Sequence, residues 1–295
     1  MNDRSDKLKD FSPIGLKTRR EIAGDEWFNL NMDNMTEWDR YWQIVATNTN
    51  WSTTWARGII PRQTLSMVNL AMLAGIGHWG EFEHHFRNAL FRTKLPLIQL
   101  REIMLHISQY CGMCTGGEIW KIARRVLKEE NVDLSQLPPI DTSNLDMTEF
   151  SPIGVKTRRE ILGDEWFNLN MDNMTEWDRY WQTVATNTNW ATTWARGIIP
   201  RQSLSLINIA TLAAIGHWGE FEHHFRNALL RTKVPLIQLR EIMLHISQYC
   251  GMCTGGEIWK IARRVLKEEN IDLSQLPALD SSNINYRPDA APPAA

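Results

Sequence analysis

The stretch PRQTLSMVNLAMLAGIGHWGEFEHHFRNAL, residues 61–90, predicts two consecutive helices. Pro61 suits the first turn of a helix, where its missing N–H would have no partner within the helix. The residues after it are mostly apolar as far as Gly77, which predicts a nearly buried helix that a glycine ends. From Glu81 onward, apolar side chains recur at intervals of three and four, as on one face of an amphipathic helix. The stretch therefore favours a fold built from packed helices.

Helical patterns continue on both sides of this stretch. We expect helices over 17–32 and 36–47, a further helix that begins at Pro96 and ends at Gly112, and a last one that starts near Gly116. No segment shows the sustained alternation of apolar and polar residues that is typical of a strand. The sequence predicts an all-α fold with about six helices in each repeated unit.

The chain contains nearly the same sequence twice. FSPIGLKTRREI at 11–22 returns as FSPIGVKTRREI at 150–161, and about 115 of roughly 130 aligned positions are identical. This period is much longer than that of solenoid repeats, so each copy is expected to be a domain. We predict a first domain at 11–135, a polar linker at 136–149 and a second domain at 150–276. A disordered tail is predicted at 277–295.

The composition limits the classes of function. A formal net charge of −2 gives no electrostatic basis for binding nucleic acid or an anionic membrane. The sequence has no apolar run long enough for a transmembrane helix, and its N-terminus lacks the apolar core of a signal peptide. We therefore expect a cytoplasmic protein without membrane or nucleic-acid partners, in which the four cysteines are reduced thiols.

Two helices carry candidate acid–base groups. His85 lies on the edge of the apolar stripe of its helix, so it can line a half-buried pocket or serve as an ordinary boundary histidine. Glu102, His106 and Tyr110 follow one another at intervals of four along the next helix. A carboxylate beside an imidazole can tune its pKa, but the same spacing also describes a common surface pair.

The sequence HISQYCGMCTGGEIW occurs at 106–120 and again at 245–259. Three interpretations of its paired cysteines compete. They could form a redox dithiol, because a thiol near a helix N-terminus has a lowered pKa. They could bind zinc, although the two pairs are too far apart for a common ribbon site. They could also be small residues that form a corner between two helices. The four residues are Cys111, Cys114, Cys250 and Cys253.

Arg57 follows a tryptophan cluster that includes Trp55, and an arginine beside aromatic side chains can bind a carboxylate. An arginine at the entrance to a helix can equally be a surface residue. The sequence lacks the motifs of nucleotide-binding loops, serine hydrolases and zinc proteases, so those functions have no support.

Taken together, RQTLSMVNLAMLAGIGHWGEFEHHFRNAL, LIQLREIMLHISQYCG and IWKIARRVLKEE resemble the carboxymuconolactone decarboxylase family, a branch of the alkyl-hydroperoxidase-D-like superfamily. The resemblance covers 55–130 and 194–269, and TRREIAGDEW is similar to the family's N-terminal helix. It implies an all-α fold, a small-molecule substrate and decarboxylation without metal or organic cofactor. It also implies a homo-oligomer, here a trimer of two-domain chains that forms a six-domain ring.

The resemblance also implies roles for individual residues. His85 and His224 match the family's histidine and would be the general acid–base pair. The implied substrate-binding residues are Arg57, Arg196, Trp55, Trp194, His106, His245, Tyr110 and Tyr249. As catalytic pocket partners of the histidines we expect either Glu118 and Glu257 or Cys111 and Cys250.

The sequence departs from the family pattern at two places. The family's proline after the arginine of its Trp-x-Arg-Pro-Gly segment is missing after Arg57. Cys114 gives the motif the appearance of the peroxidase branch, but Glu118 stands where that branch has a histidine.

The leading hypothesis is a cofactor-independent lyase or isomerase that acts on a small carboxylated or lactone-like substrate, in a specialised biosynthetic pathway. The alternatives are a thiol-dependent hydroperoxide reductase that uses the paired cysteines and a non-catalytic helical scaffold. Under the leading hypothesis, the corner at 110–118 brings Tyr110, Cys111 and Glu118 towards His85.

Overall fold

The computed structural model describes residues 8–139 and 145–277, and all regular structure within these ranges is helical. The helices of the first unit are α1 Pro13–Ala23, α2 Asp25–Asp33, α3 Arg40–Val45, α4 Thr54–Arg57, α5 Arg62–Gly75, α6 Trp79–Phe91, α7 Leu97–Cys111 and α8 Met113–Glu129. Those of the second unit are α9 Pro152–Leu162, α10 Asp164–Asp172, α11 Arg179–Ala185, α12 Arg201–Ala214, α13 Trp218–Leu230, α14 Leu236–Cys250 and α15 Met252–Glu268. A π-helix follows α3 at Ala46–Trp51 and α11 at Thr186–Trp190. The predicted all-α fold is confirmed.

Two predicted helix boundaries change for local reasons. The single helix expected over 17–32 is two helices, α1 and α2, because Gly24 adopts a φ of 89° that a regular helix does not allow. The helix expected over 36–47 begins at Arg40 and passes into the first π-helix at Ala46. The predicted linker lies partly, and the predicted tail almost entirely, outside the described residues.

The centre of the molecule is the pair α5 and α12, one from each unit. Every residue of α5 from Thr64 to Ala74 is buried, which explains why the segment is mostly apolar on every face. A methyl group added at Gly75 would lie only 3.1 Å from the side chain of Ile215 in the second unit. One continuous apolar core contains residues of both units. None of the helices that the structure describes is long and apolar enough to span a bilayer.

Candidate active site shared by the two units

The predicted histidines and tyrosines meet across the boundary between the two units. In the first site, the ring of His85 on α6 lies 6.0 Å from the ring of Tyr249 on α14, edge to face. The indole of Trp55 stacks 6.5 Å from His85 and lies 5.7 Å from His245. The site therefore combines α4 and α6 of the first unit with α14 of the second.

The second site repeats this arrangement with the units exchanged. The ring of His224 lies 6.0 Å from Tyr110, and Trp194 lies 5.9 Å from His106. The expectation that the corner at 110–118 brings Tyr110 towards His85 is therefore wrong in its geometry, because Tyr110 faces the histidine of the other unit. Each site needs residues from both halves of the chain.

A hydrogen-bonded chain crosses the first site and fixes its histidine tautomers. The Nε2–H of His245 donates to Oδ1 of Asn69 at 2.6 Å, and Nδ2 of Asn69 donates to Nδ1 of His85 at 3.4 Å. The hydroxyl of Thr54 donates to Nδ1 of His245 at 2.7 Å. Because Nδ1 of His85 accepts, the proton of the neutral ring sits on Nε2. Within the described part of the chain, this Nε2–H has no hydrogen-bond partner and is left to donate to a ligand.

The same chain of contacts crosses the second site. Oγ1 of Thr193 and Nδ1 of His106 are 3.0 Å apart, and Nε2 of His106 lies 2.5 Å from Oδ1 of Asn208. Nδ2 of Asn208 in turn lies 3.4 Å from Nδ1 of His224.

Burial keeps the site histidines neutral. Loss of hydration lowers the pKa of His85 to about 3, and neighbouring His84 disfavours the imidazolium further. Burial likewise lowers the pKa of His245 and His224 to about 3, and that of His106 to about 4. Each ring is therefore a neutral hydrogen-bond donor and acceptor at neutral pH, and a bound anion is needed to raise its pKa.

Tyr249 supplies a second free proton beside His85. Its hydroxyl oxygen accepts hydrogen bonds from Nε1 of Trp55 at 2.9 Å and Nδ2 of Asn50 at 3.1 Å. The side chain of Asn69 also acts as a donor to this oxygen. Because all three partners are donors, the hydroxyl proton remains to be donated elsewhere. Burial raises the pKa of Tyr249, which keeps this proton on the oxygen. In the second site the oxygen of Tyr110 accepts equivalent bonds at 3.0 and 3.1 Å.

The predicted arginines are engaged in ion pairs between the units. Nε and Nη2 of Arg57 bind both carboxylate oxygens of Glu241 at 2.9 to 3.2 Å, and Arg196 binds Glu102 at 3.0 Å. Burial raises the pKa of Glu241, and the contact with Arg57 opposes this rise. The charge of Arg57 is thus already compensated by a carboxylate.

The two cysteines of each pair have different surroundings. Cys111 is half-buried against α5, and burial raises the pKa of its thiol to about 12, as it does for Cys250. Cys114 and Cys253 are exposed, and all four cysteines are free thiols. Across the two described ranges, no group of His, Cys, Asp and Glu side chains could hold a metal ion.

Glu118 and Glu257 lie apart from both sites. Glu118 pairs with Lys121 at 3.5 Å and Glu257 with Lys260 at 3.4 Å, on the outer face of the last helix of each unit. Their carboxylates thus do not join the histidines, contrary to the expected convergence at the corner.

Sequence reasoning missed three polar residues of the first site, Asn50, Thr54 and Asn69. Asn69 carried a signal, because an asparagine in the middle of an apolar helix must find a partner when it is buried. Asn50 lies in the π-helix Ala46–Trp51, a rare form that is frequent at functional sites and has no simple sequence signature.

Comparisons with known proteins indicate one family. The model of the carboxymuconolactone decarboxylase family matches residues 179–264, within the second unit. A 4-carboxymuconolactone decarboxylase of Acinetobacter baylyi is 30% identical over 115 residues, which are 39% of this chain and 85% of that protein. The nitrosuccinic acid decarboxylase npaB of Metarhizium robertsii is 32% identical over 115 residues, 39% of this chain and 80% of that protein. The resemblance seen in the sequence is confirmed, and the chain belongs to the carboxymuconolactone decarboxylase family.

Proposed function

We propose that the chain is a decarboxylase that uses no cofactor and acts on a small carboxylic acid. Its substrate carries a carbonyl or nitro group that is conjugated, directly or through a double bond, with the carbon that loses CO₂. The observation that carries this proposal is the pair of unused protons, His85 Nε2–H and Tyr249 O–H, on adjacent rings of which the first is buried and the second partly buried. The names of the two relatives, each a decarboxylase, support the reaction type.

The geometry suits charge that develops on an oxygen. When the carbon–carboxylate bond breaks, its electron pair stays on carbon and delocalises into the neighbouring carbonyl or nitro oxygen. Donors already held in place stabilise such an oxygen because they need no reorganisation during the reaction. The neutral ring of His85 and the hydroxyl of Tyr249 are donors of this kind. A hydrogen bond from Asn69 holds the ring of His85, and one from Trp55 holds the hydroxyl of Tyr249.

The reaction then needs one proton at carbon. The electron pair left by CO₂ takes a proton, and the free enzyme recovers it from solvent. We assign this transfer to His85. Negative charge beside the ring raises its pKa, so the neutral ring takes up a proton from solvent, and the imidazolium then gives one proton to carbon and becomes neutral again. The indoles of Trp51 and Trp55, stacked 5.8 Å apart, line one side with apolar surface that favours loss of the charged carboxylate. His224 has the same role in the second site.

The alternative thiol-dependent peroxidase gains no support from the geometry. A thiol with a pKa near 12 contains almost no thiolate at neutral pH, and thiolate is the nucleophile that peroxide reduction needs. The thiol of Cys111 is half-buried beside Gly75 of α5.

The test is CO₂ release from 4-carboxymuconolactone and nitrosuccinate by purified protein. The variant His85→Gln with His224→Gln should lose at least about a hundredfold in kcat, because it loses a positioned donor in both sites. Cys111→Ser with Cys250→Ser should keep most of the wild-type rate. Equal losses in the histidine and cysteine variants, or hydroperoxide turnover that depends on Cys111, would contradict the proposal.

A further inference from the structure

Arg19 on α1 is among the largest fully buried side chains, with 1% of its surface exposed. Its Nη1 donates to Oγ1 of Thr47 at 3.0 Å, which is its one hydrogen bond to the described residues. Its Nε is buried and has no partner there. No carboxylate of the described chain forms an ion pair with it. Arg158 in the second unit repeats these features, with 2% exposure and a bond of 3.1 Å to Thr186.

An unpaired buried cation is unusual because removing a charge from water is costly unless an opposite charge compensates for it. Several other arginines of the described chain have such a partner. Arg57 has a bidentate partner, and the half-exposed Arg87 contacts three glutamates. The most deeply buried arginine of each unit thus lacks the partner that more exposed arginines have. A bound anion would provide that partner.

The surroundings of Arg19 connect it to the first site. Its electrostatic interaction with Tyr249 opposes the larger effect of burial, which lowers the pKa of Arg19 to about 10. Its guanidinium lies 5.1 Å from the ring of Trp27, which stacks on His84 next to His85. Thr47, which holds Nη1, precedes Asn50 in the same π-helix. Ring contacts from Trp27 to His84 and from His84 to His85 therefore connect the cation to the first site.

We propose that Arg19, and Arg158 in the second site, bind a carboxylate that the substrate keeps while another leaves as CO₂. The acids in the names of both relatives are dicarboxylic, and on such a substrate the two arginines hold the carboxylate that stays. A guanidinium suits this role because its planar N–H groups match both carboxylate oxygens. This inference rests on the proposed function for the reaction, but the anion site can be tested without turnover.

The test is calorimetric titration of the whole chain with succinate, a dicarboxylate without a group that can stabilise decarboxylation. Succinamide is the neutral comparison. The wild-type protein should bind two succinate molecules and no succinamide. Arg19→Gln should bind one, and Arg19→Gln with Arg158→Gln none, or at least about tenfold more weakly at each altered site.

Arg20→Gln is the matched control, since Arg20 is the next residue of α1 but is half-exposed and pairs with Asp25. It should keep both succinate sites. Arg19→Gln should also leave the ligand-free protein as stable as the wild type, because it removes an unpaired charge. If Arg19→Gln does not fold, Arg19→Lys retains the cation and should weaken one of the two sites without removing it.

Three results would overturn the inference: equal affinity for succinate and succinamide, two full-affinity succinate sites in Arg19→Gln, or equal losses in Arg19→Gln and Arg20→Gln. The proposed function fails separately. If both histidine substitutions leave CO₂ release intact while succinate stoichiometry falls as expected, the anion site stands and the catalytic assignment falls.

Discussion

The buried histidines should make folding strongly dependent on pH. Their folded pKa values are about 3 to 4, against about 6.5 for an exposed histidine. Near pH 5 the unfolded chain therefore binds protons that the folded chain does not, so stability falls as pH falls. The four residues concerned are His85, His106, His224 and His245.

The size of the effect follows from the number of protons. Each histidine contributes about 1.4 kcal/mol per pH unit between its folded and unfolded pKa values, so four contribute about 5 to 6 kcal/mol per pH unit near pH 5. Glu241, whose pKa is raised in the folded state, opposes this with no more than one proton. His84, whose pKa burial lowers to about 4, adds to the histidine effect.

Urea unfolding followed by tryptophan fluorescence, at several values between pH 7.5 and 5, measures this slope. His85→Gln with His224→Gln should reduce it by about 2.8 kcal/mol per pH unit, the share of two histidines. The same substitutions at the exposed His78 and His217 are the control and should leave the slope unchanged. A free energy of unfolding that changes by less than about 1.4 kcal/mol per pH unit near pH 5 would refute the reasoning.

Two further predictions concern packing and the contact between the units. A methyl group at Gly116 would lie 2.7 Å from Oγ of Ser108, so Gly116→Ala should lower the free energy of unfolding by about 1–3 kcal/mol. A methyl group at Gly117 would meet open space, so Gly117→Ala should raise the free energy of unfolding by about 0.5–1 kcal/mol. If urea unfolding shows that both glycine variants change the free energy of unfolding in the same direction, this prediction is wrong. Arg57→Ala leaves Glu241 buried without a partner and should cost about 3–5 kcal/mol, most of which Glu241→Met should restore in the double variant. A loss below about 1 kcal/mol for Arg57→Ala would show that the ion pair does not hold the units together.

The fold was largely predictable because apolar periodicity is local. The apolar run after Pro61 predicted a buried helix, and Gly112 ends α7 where the sequence placed a glycine stop. The contacts between the two units within each site could not be predicted in the same way. Both copies carry the same residues, so a contact between Tyr110 and a histidine is equally compatible with His85 and with His224. Only packing in three dimensions decides between them.

The buried cation was missed for a different reason. Arg19 and Arg20 are adjacent in the sequence and look equivalent, but a helix turns them about 100° apart. Arg19 falls on the stripe of Gly15, Ile22 and Ala23 that faces the core, a pattern that a helical projection of α1 can reveal. The trimeric ring, the cytoplasmic location and the biosynthetic role stay predictions.

The most direct test of the account asks whether the two sites are shared between the units. His85→Gln disables the first site and should leave roughly half of the wild-type kcat, because the second site is intact. Adding Tyr249→Phe, in the same site, should change this little. Adding Tyr110→Phe, in the other site, should lower the remaining rate by about a hundredfold. If Tyr110→Phe is the silent addition and Tyr249→Phe the damaging one, each site lies within a single unit and the account is wrong.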